Sequence, residues 1–156
     1  MSVTFESLTE VEQELVFTSF SRADALRLGQ IINEVSADYP DPLAAEITIN
    51  GLVVYRYFQD GSMPDSELWL ERKRNAIELM HMGSLRFGFW LEKMGETLES
   101  RKLNANDFAP GGGGMPIILK DTGVIGSVCV SGEADHLDDQ AIITKALRQL
   151  KAEKEA

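Results

Sequence analysis

Arg74, Glu78 and His81 stand at i, i+4 and i+7, a spacing that places all three on one face of a helix. The row holds a cation, an anion and a titratable imidazole. There the carboxylate would orient the ring while the guanidinium holds an anionic ligand. The same spacing also describes a solvated ion-pair row worth a fraction of a kcal/mol. Arg72, Lys73 and Arg74 form the densest basic cluster of the chain and interrupt an apolar stripe of Trp69, Ala76, Ile77 and Met80. An arginine buried in such a stripe needs an anion or carbonyls for its five donors. Its own neighbours Glu71 and Glu78 are the competing partners. The run Gly111-Gly112-Gly113-Gly114 permits close backbone approach, and its amides could form an anion nest; a flexible loop leading into a strand is the alternative. At Val130-Ser131-Gly132-Glu133 a hydroxyl and amides collect where a strand hands over to a helix, as in many small-ligand sites. Together these residues outline a site between the Arg74–His81 face and the glycine run. Its candidate ligand-binding set is Arg74, Asn75, His81, Gly112, Gly113, Gly114 and Ser131.

Other chemistry is excluded by what the motifs lack. Met115-Pro116 stands where a phosphate loop needs lysine. The glycines lead into a strand carrying proline, which does not fit the dinucleotide fingerprint. Neither Ser127 nor Ser131 sits in a Gly-x-Ser-x-Gly elbow. Two histidines and one cysteine, far apart, close no structural zinc site, and no metal ligand set is expected. Cys129 lies in an apolar strand and reads as an inert core thiol. His136, after Asp135, reads as a solvated residue at a helix start.

The elements that must position these groups follow from periodicity and turn chemistry. Ser7-Leu8-Thr9-Glu10 predicts a capping box opening a short amphipathic helix, and Ser21-Arg22-Ala23-Asp24 predicts a second one running to about Ala37. Asn50-Gly51 joins two β-rich runs, Leu43–Asn50 and Leu52–Phe58, into a hairpin. Ser62-Met63-Pro64-Asp65 opens a long helical stretch over Asp65–Met82 and Ser84–Ser100, kinked or divided at Gly83. A second hairpin spans Met115–Val130, and Asp135 caps a final helix. Hairpins segregated from helices give an α+β fold, an antiparallel sheet covered by helices.

The 156 residues suit a single domain spanning 1–156, with a helical extension at 1–20 and a frayed tail at 151–156. Fifteen Lys and Arg against twenty-five Asp and Glu give a net charge of −10, which disfavours nucleic acid as a partner. The N-terminal residues lack signal-peptide character, no apolar run is long enough for a membrane, and one cysteine fits a reducing compartment; a soluble, cytoplasmic protein is expected. Phe87, Phe89 and Trp90 point in different directions around one helix, more apolar surface than a monomer covers, which predicts a homodimer or larger assembly.

Gly112-Gly113-Gly114-Met115-Pro116-Ile117, followed by Val124–Gly132 and an Asp-led helix, resembles the GlcG/HbpS-like family, also known as the haem-degrading domain. Trp69-Leu70-Glu71-Arg72-Lys73-Arg74-Asn75, with His81 and Ser84 beyond, looks like its uncharacterised bacterial and fungal branch. The resemblance covers about Ser21 to Leu150. It implies an α-β-α layered domain with an antiparallel sheet of four to five strands, assembled as dimers or rings. The residues themselves show four strands, so a fifth would come from a segment read as loop, near the glycines. The resemblance also implies haem or iron binding for some members, and a histidine just before the glycines in many, where this chain has Gly111. The expected function is therefore small-ligand binding, with haem or another anionic metabolite as ligand. The alternatives are an enzyme, either haem-degrading or a small lyase or isomerase using His81 in proton transfer, and a protein-interaction module.

Overall fold

The computed structural model describes residues 2–156. Helix α1 (Phe5–Glu14) starts one turn earlier than expected. Its capping box is Thr4 with Ser7, each side-chain oxygen accepting from the other residue's amide at 3.0 and 2.9 Å. After it come a two-residue strand β1 (Val16–Phe17) and helix α2 (Arg22–Ser36), the latter capped by the expected Ser21–Asp24 box. Strands β2 (Ala44–Ile49) and β3 (Leu52–Phe58) form the Asn50-Gly51 hairpin, with φ of 50° and 82° at the turn, where asparagine and glycine are the residues best tolerated.

Helices α3 (Ser66–Met80) and α4 (Ser84–Met94) are separate, divided where His81 takes a left-handed φ of 54° and ends α3. Strands β4 (Gly114–Leu119) and β5 (Gly123–Ser131) make the second hairpin, and α5 (His136–Glu155) continues through the segment expected to fray.

The sheet order is β1-β4-β5-β2-β3. All neighbours are antiparallel except β1 and β4, which run parallel through Val16↔Ile118 and Phe17↔Leu119. The fifth strand is thus β1, within the segment expected as a helical extension, and not a stretch beside the glycines. Leu15, Phe17 and Phe20 join the main core, so this segment is built into the fold.

Period-two alternation gives the sheet two unlike faces. Ala45, Ile47, Val128 and Val130 face the apolar layer of α2 and α5, packing with Leu28, Ile32, Ile143 and Leu147. On the α3 side Ala44 and Cys129 meet Leu70 and Ile77. That face also carries Glu46, paired in register with Cys129, and Thr48, whose hydroxyl bonds that of Ser127 at 2.8 Å. Phe87 is fully buried with Ala76, Leu91 and Leu98. It is therefore core, and the apolar surplus expected on it does not exist.

Candidate functional site

The site grows from the end of β5. Where this strand leaves the sheet at Ser131, α3 on one side and the 105–112 segment on the other border a cleft of about 850 Å³, inside the ~300–1,000 Å³ range of small-molecule sites. Its walls are apolar: Trp69 from α3, Met63 and Pro42 from the connecting segments, and Leu98 and Phe108 opposite. Polar residues of α3 hold the far wall. Arg72 Nε donates to Asn106 O at 3.0 Å, Asn75 Nδ2 donates to Asp107 O at 2.9 Å, and the Ala109 amide donates to Arg72 O.

The floor is charged. Lys73, 5% exposed, donates from Nζ to Val130 O at 2.7 Å and lies 3.5 Å from Asp139 Oδ2. Asp139 Oδ1 accepts the Glu133 amide at 3.1 Å. Burial lowers the Lys73 pKa and raises that of Asp139, each opposed by the charge of the other. Glu133 Oε1 accepts the Asp41 amide at 3.3 Å, whereas its Oε2 is buried without a partner. Asp41, Asp65, Glu133 and Asp139 all border the cleft, against one lysine.

The glycine run packs against the start of α5. A Cβ on Gly112 would lie 2.2 Å from His136 O, and Gly113, at φ +114°, would bring one within 2.7 Å of Lys73 Nζ. Glycine is required at both positions for this approach. The Gly112 amide donates to His136 Nδ1 at 2.8 Å, and the Gly113 amide to Gln140 Oε1 at 3.0 Å. These amides are paired inside the protein instead of forming a nest. Because His136 Nδ1 is an acceptor, a neutral ring carries its proton on Nε2.

The residues singled out in the sequence divide. Gly112 and Ser131 border the cleft, with Gly111 beside them, while Gly113 and Gly114 are buried behind it. Arg74, Asn75 and His81 do not border it. Arg74 Nη1 pairs with Glu46 Oε1, whose other oxygen binds Arg56, so the anion it needs is a carboxylate of the neighbouring sheet and neither Glu71 nor Glu78. Asn75 is engaged with the far wall, and His81 is exposed at the end of α3. The structure does not gather Arg74, His81 and the glycines into one site. Cys129 is fully buried, which pushes its thiol up to about 12, as an inert core cysteine requires.

Sequence reasoning passed over Lys73, Asp139 and Trp69 as site residues; His136 is the exposed helix-start residue it was read as, with Nδ1 also accepting the Gly112 amide. The signal for Lys73 was its place in the stripe of Leu70, Ala76 and Ile77, all fully buried. The alternation of Ser127, Cys129 and Ser131 with Val128 and Val130 likewise announced a polar sheet face. Among the described residues no group of three or more His, Cys, Asp or Glu is placed to hold a metal ion, and no helix is long and apolar enough to cross a membrane.

The family model described as haem degrading protein HbpS-like matches residues 20–148. A UPF0303 protein of Rhizobium etli (strain CIAT 652) is 35% identical over 140 residues, covering 90% of this chain and 85% of its own. The crystal structure of the Ybr137w protein superposes with a TM-score of 0.88 at 24% identity, covering 100% of this chain and 92% of that one. The structure titled PduOC:Heme complex superposes with a TM-score of 0.68 at 19% identity, covering 83% and 94%. At these identities the two structures establish the shared fold.

Proposed function

The chain belongs to the HbpS-like family of haem-degrading proteins, and on that premise we propose that it is a small-ligand-binding protein whose ligand lies in the cleft beside Ser131. One observation carries this reading: apolar walls close over a small set of convergent polar groups at a strand end, the usual construction of a ligand site.

Haem, which the family description brings to mind, needs a lone pair for its iron and cations for its propionates. The one imidazole bordering the cleft has Nδ1 occupied by the Gly112 amide, leaving a proton on Nε2 when neutral. Among the described residues the one lysine there is already paired with Asp139, and the other charged side chains are carboxylates. His136 as placed offers the iron no lone pair, which leaves the Met63 sulfur as the axial donor the lining presents, and the surrounding carboxylates do not favour the propionates.

Native mass spectrometry of the purified protein, beside an Ala105→Trp variant that fills the cleft from an exposed position, tests the reading. The expected result is a non-covalent adduct on the wild type that Ala105→Trp loses. An adduct retained by the variant places the ligand elsewhere.

A second reading, an enzyme, draws support from Lys73. A buried amine bordering a cleft is a group that could hold or pass a proton there once it leaves Asp139, unlike the exposed His81.

A further inference from the structure

The charges of the cleft point to a cationic ligand. Resting on the small-ligand reading above, we propose that the cleft takes an organic ammonium, a protonated amine on an apolar body.

Three features of the lining converge on this chemistry. Glu133, only 7% exposed, borders the cleft and holds Oε2 without a donor. Oε2 is itself closed off from solvent, so a ligand reaches it as the side chain turns toward the cleft; a buried acceptor left unpaired is costly, and an ammonium N–H is the donor it lacks. Trp69 borders the same cleft at 43% exposure. One face of its ring already carries the Arg72 guanidinium, 4.7 Å from the centroid and anchored on Asn106 O, which fixes the ring and leaves the opposite face for a ligand. An indole face held in place attracts a cation through its quadrupole. Asp41 and Asp65 add negative charge at the border, and the net charge of −10 steers cations inward from a distance.

An anion finds no such welcome. The amides of Gly112 and Gly113 donate to His136 and Gln140, and Lys73 donates to Val130 O and faces Asp139. An anionic ligand would have to break these contacts and enter against four carboxylates.

The test uses three probes of nearly equal shape: phenethylamine, phenethyl alcohol and hydrocinnamate. Each is titrated at millimolar concentration into isotope-labelled full-length protein, with the backbone amides of Gly111, Ser131, Glu133 and Ala134 followed by NMR. The amine is expected to shift these amides and to bind about tenfold or more tightly than either other probe. Glu133→Gln keeps the acceptor for the Asp41 amide; a melting curve verifies its fold, and it is expected to remove most of the amine's advantage while leaving the alcohol unchanged. If hydrocinnamate or the alcohol binds in the cleft as well as the amine, or Glu133→Gln leaves the amine's affinity unaltered, the cation assignment is overturned and the cleft reading stands. If no probe shifts these amides, both are overturned.

Discussion

Glu133 has two oxygens with unlike surroundings, one paired with the Asp41 amide and one buried alone. Burial raises its pKa above the ordinary 4.5 against the hydrogen bond from the Asp41 amide, and the charges of Asp41, Asp139 and Asp138 add to the rise. Lys73 is the cation on the facing helix, and it is engaged by Asp139. The folded protein therefore holds this proton more tightly than the unfolded chain does. The stability Glu133 contributes is complete below about pH 4.5 and is lost as pH rises through its higher folded value. Glu133→Gln, neutral throughout, is expected to gain stability relative to the wild type as pH rises from about 4.5 to about 7.5. Urea unfolding midpoints at both ends of that window check the sign, and a wild type that gains on the variant with rising pH contradicts it. The segment Val130–Glu133 was legible as a place for a ligand, but the Lys73–Asp139 pair was not, because its partners stand 66 residues apart in sequence. Local spacing nominated Arg74, Glu78 and His81, but the carboxylate that claims Arg74 is Glu46, on a strand that only the folded sheet brings near.

Helix α2 touches β3 at a point where only hydrogen fits. A Cβ on Gly29 would lie 2.2 Å from the Tyr55 ring, whose hydroxyl accepts from Asn33 on the same helix. Gly29→Ala gains about 1 kcal/mol of helix propensity but forces the ring and strand outward, which costs about 1–3 kcal/mol. The net expectation is a destabilised protein, read as a lower melting temperature; a higher one would show that Tyr55 moves freely. The elements most legible in the sequence were those specified by local chemistry, such as the Ser21–Asp24 box and the Asn50-Gly51 turn. Those that escaped are specified by distant contacts. Strand β1 is two residues long and exists because Val16 and Phe17 meet β4 about a hundred residues on, too short a run for any period to register. The wall of the cleft escaped for the same reason, since Arg72 and Asn75 hold a segment that has no periodicity of its own.

For the whole molecule, the sheet ends on one side in β3, a full-length edge strand whose Leu52, Val53 and Tyr57 are 50%, 41% and 46% exposed. An apolar edge with unpaired backbone groups is a template for another strand. We expect a homo-oligomer that uses this edge, in place of the helix-α4 aromatics that suggested one from the sequence. Val53→Lys, at an exposed position, should leave the fold intact and shift the sedimentation profile toward monomer; an unchanged profile excludes β3 as the contact. The two unlike faces of the sheet carry a consequence for how such a chain diverges over time. On the α2 and α5 side, Ala45, Ile47, Val128 and Val130 belong to the main apolar core, where volume-conserving exchanges are cheap. On the α3 side Glu46 answers to two arginines and Thr48 to Ser127, so a lone substitution strands a partner. Inheritance should then run at two speeds through a single sheet, with one surface drifting residue by residue and the other handed down as a set.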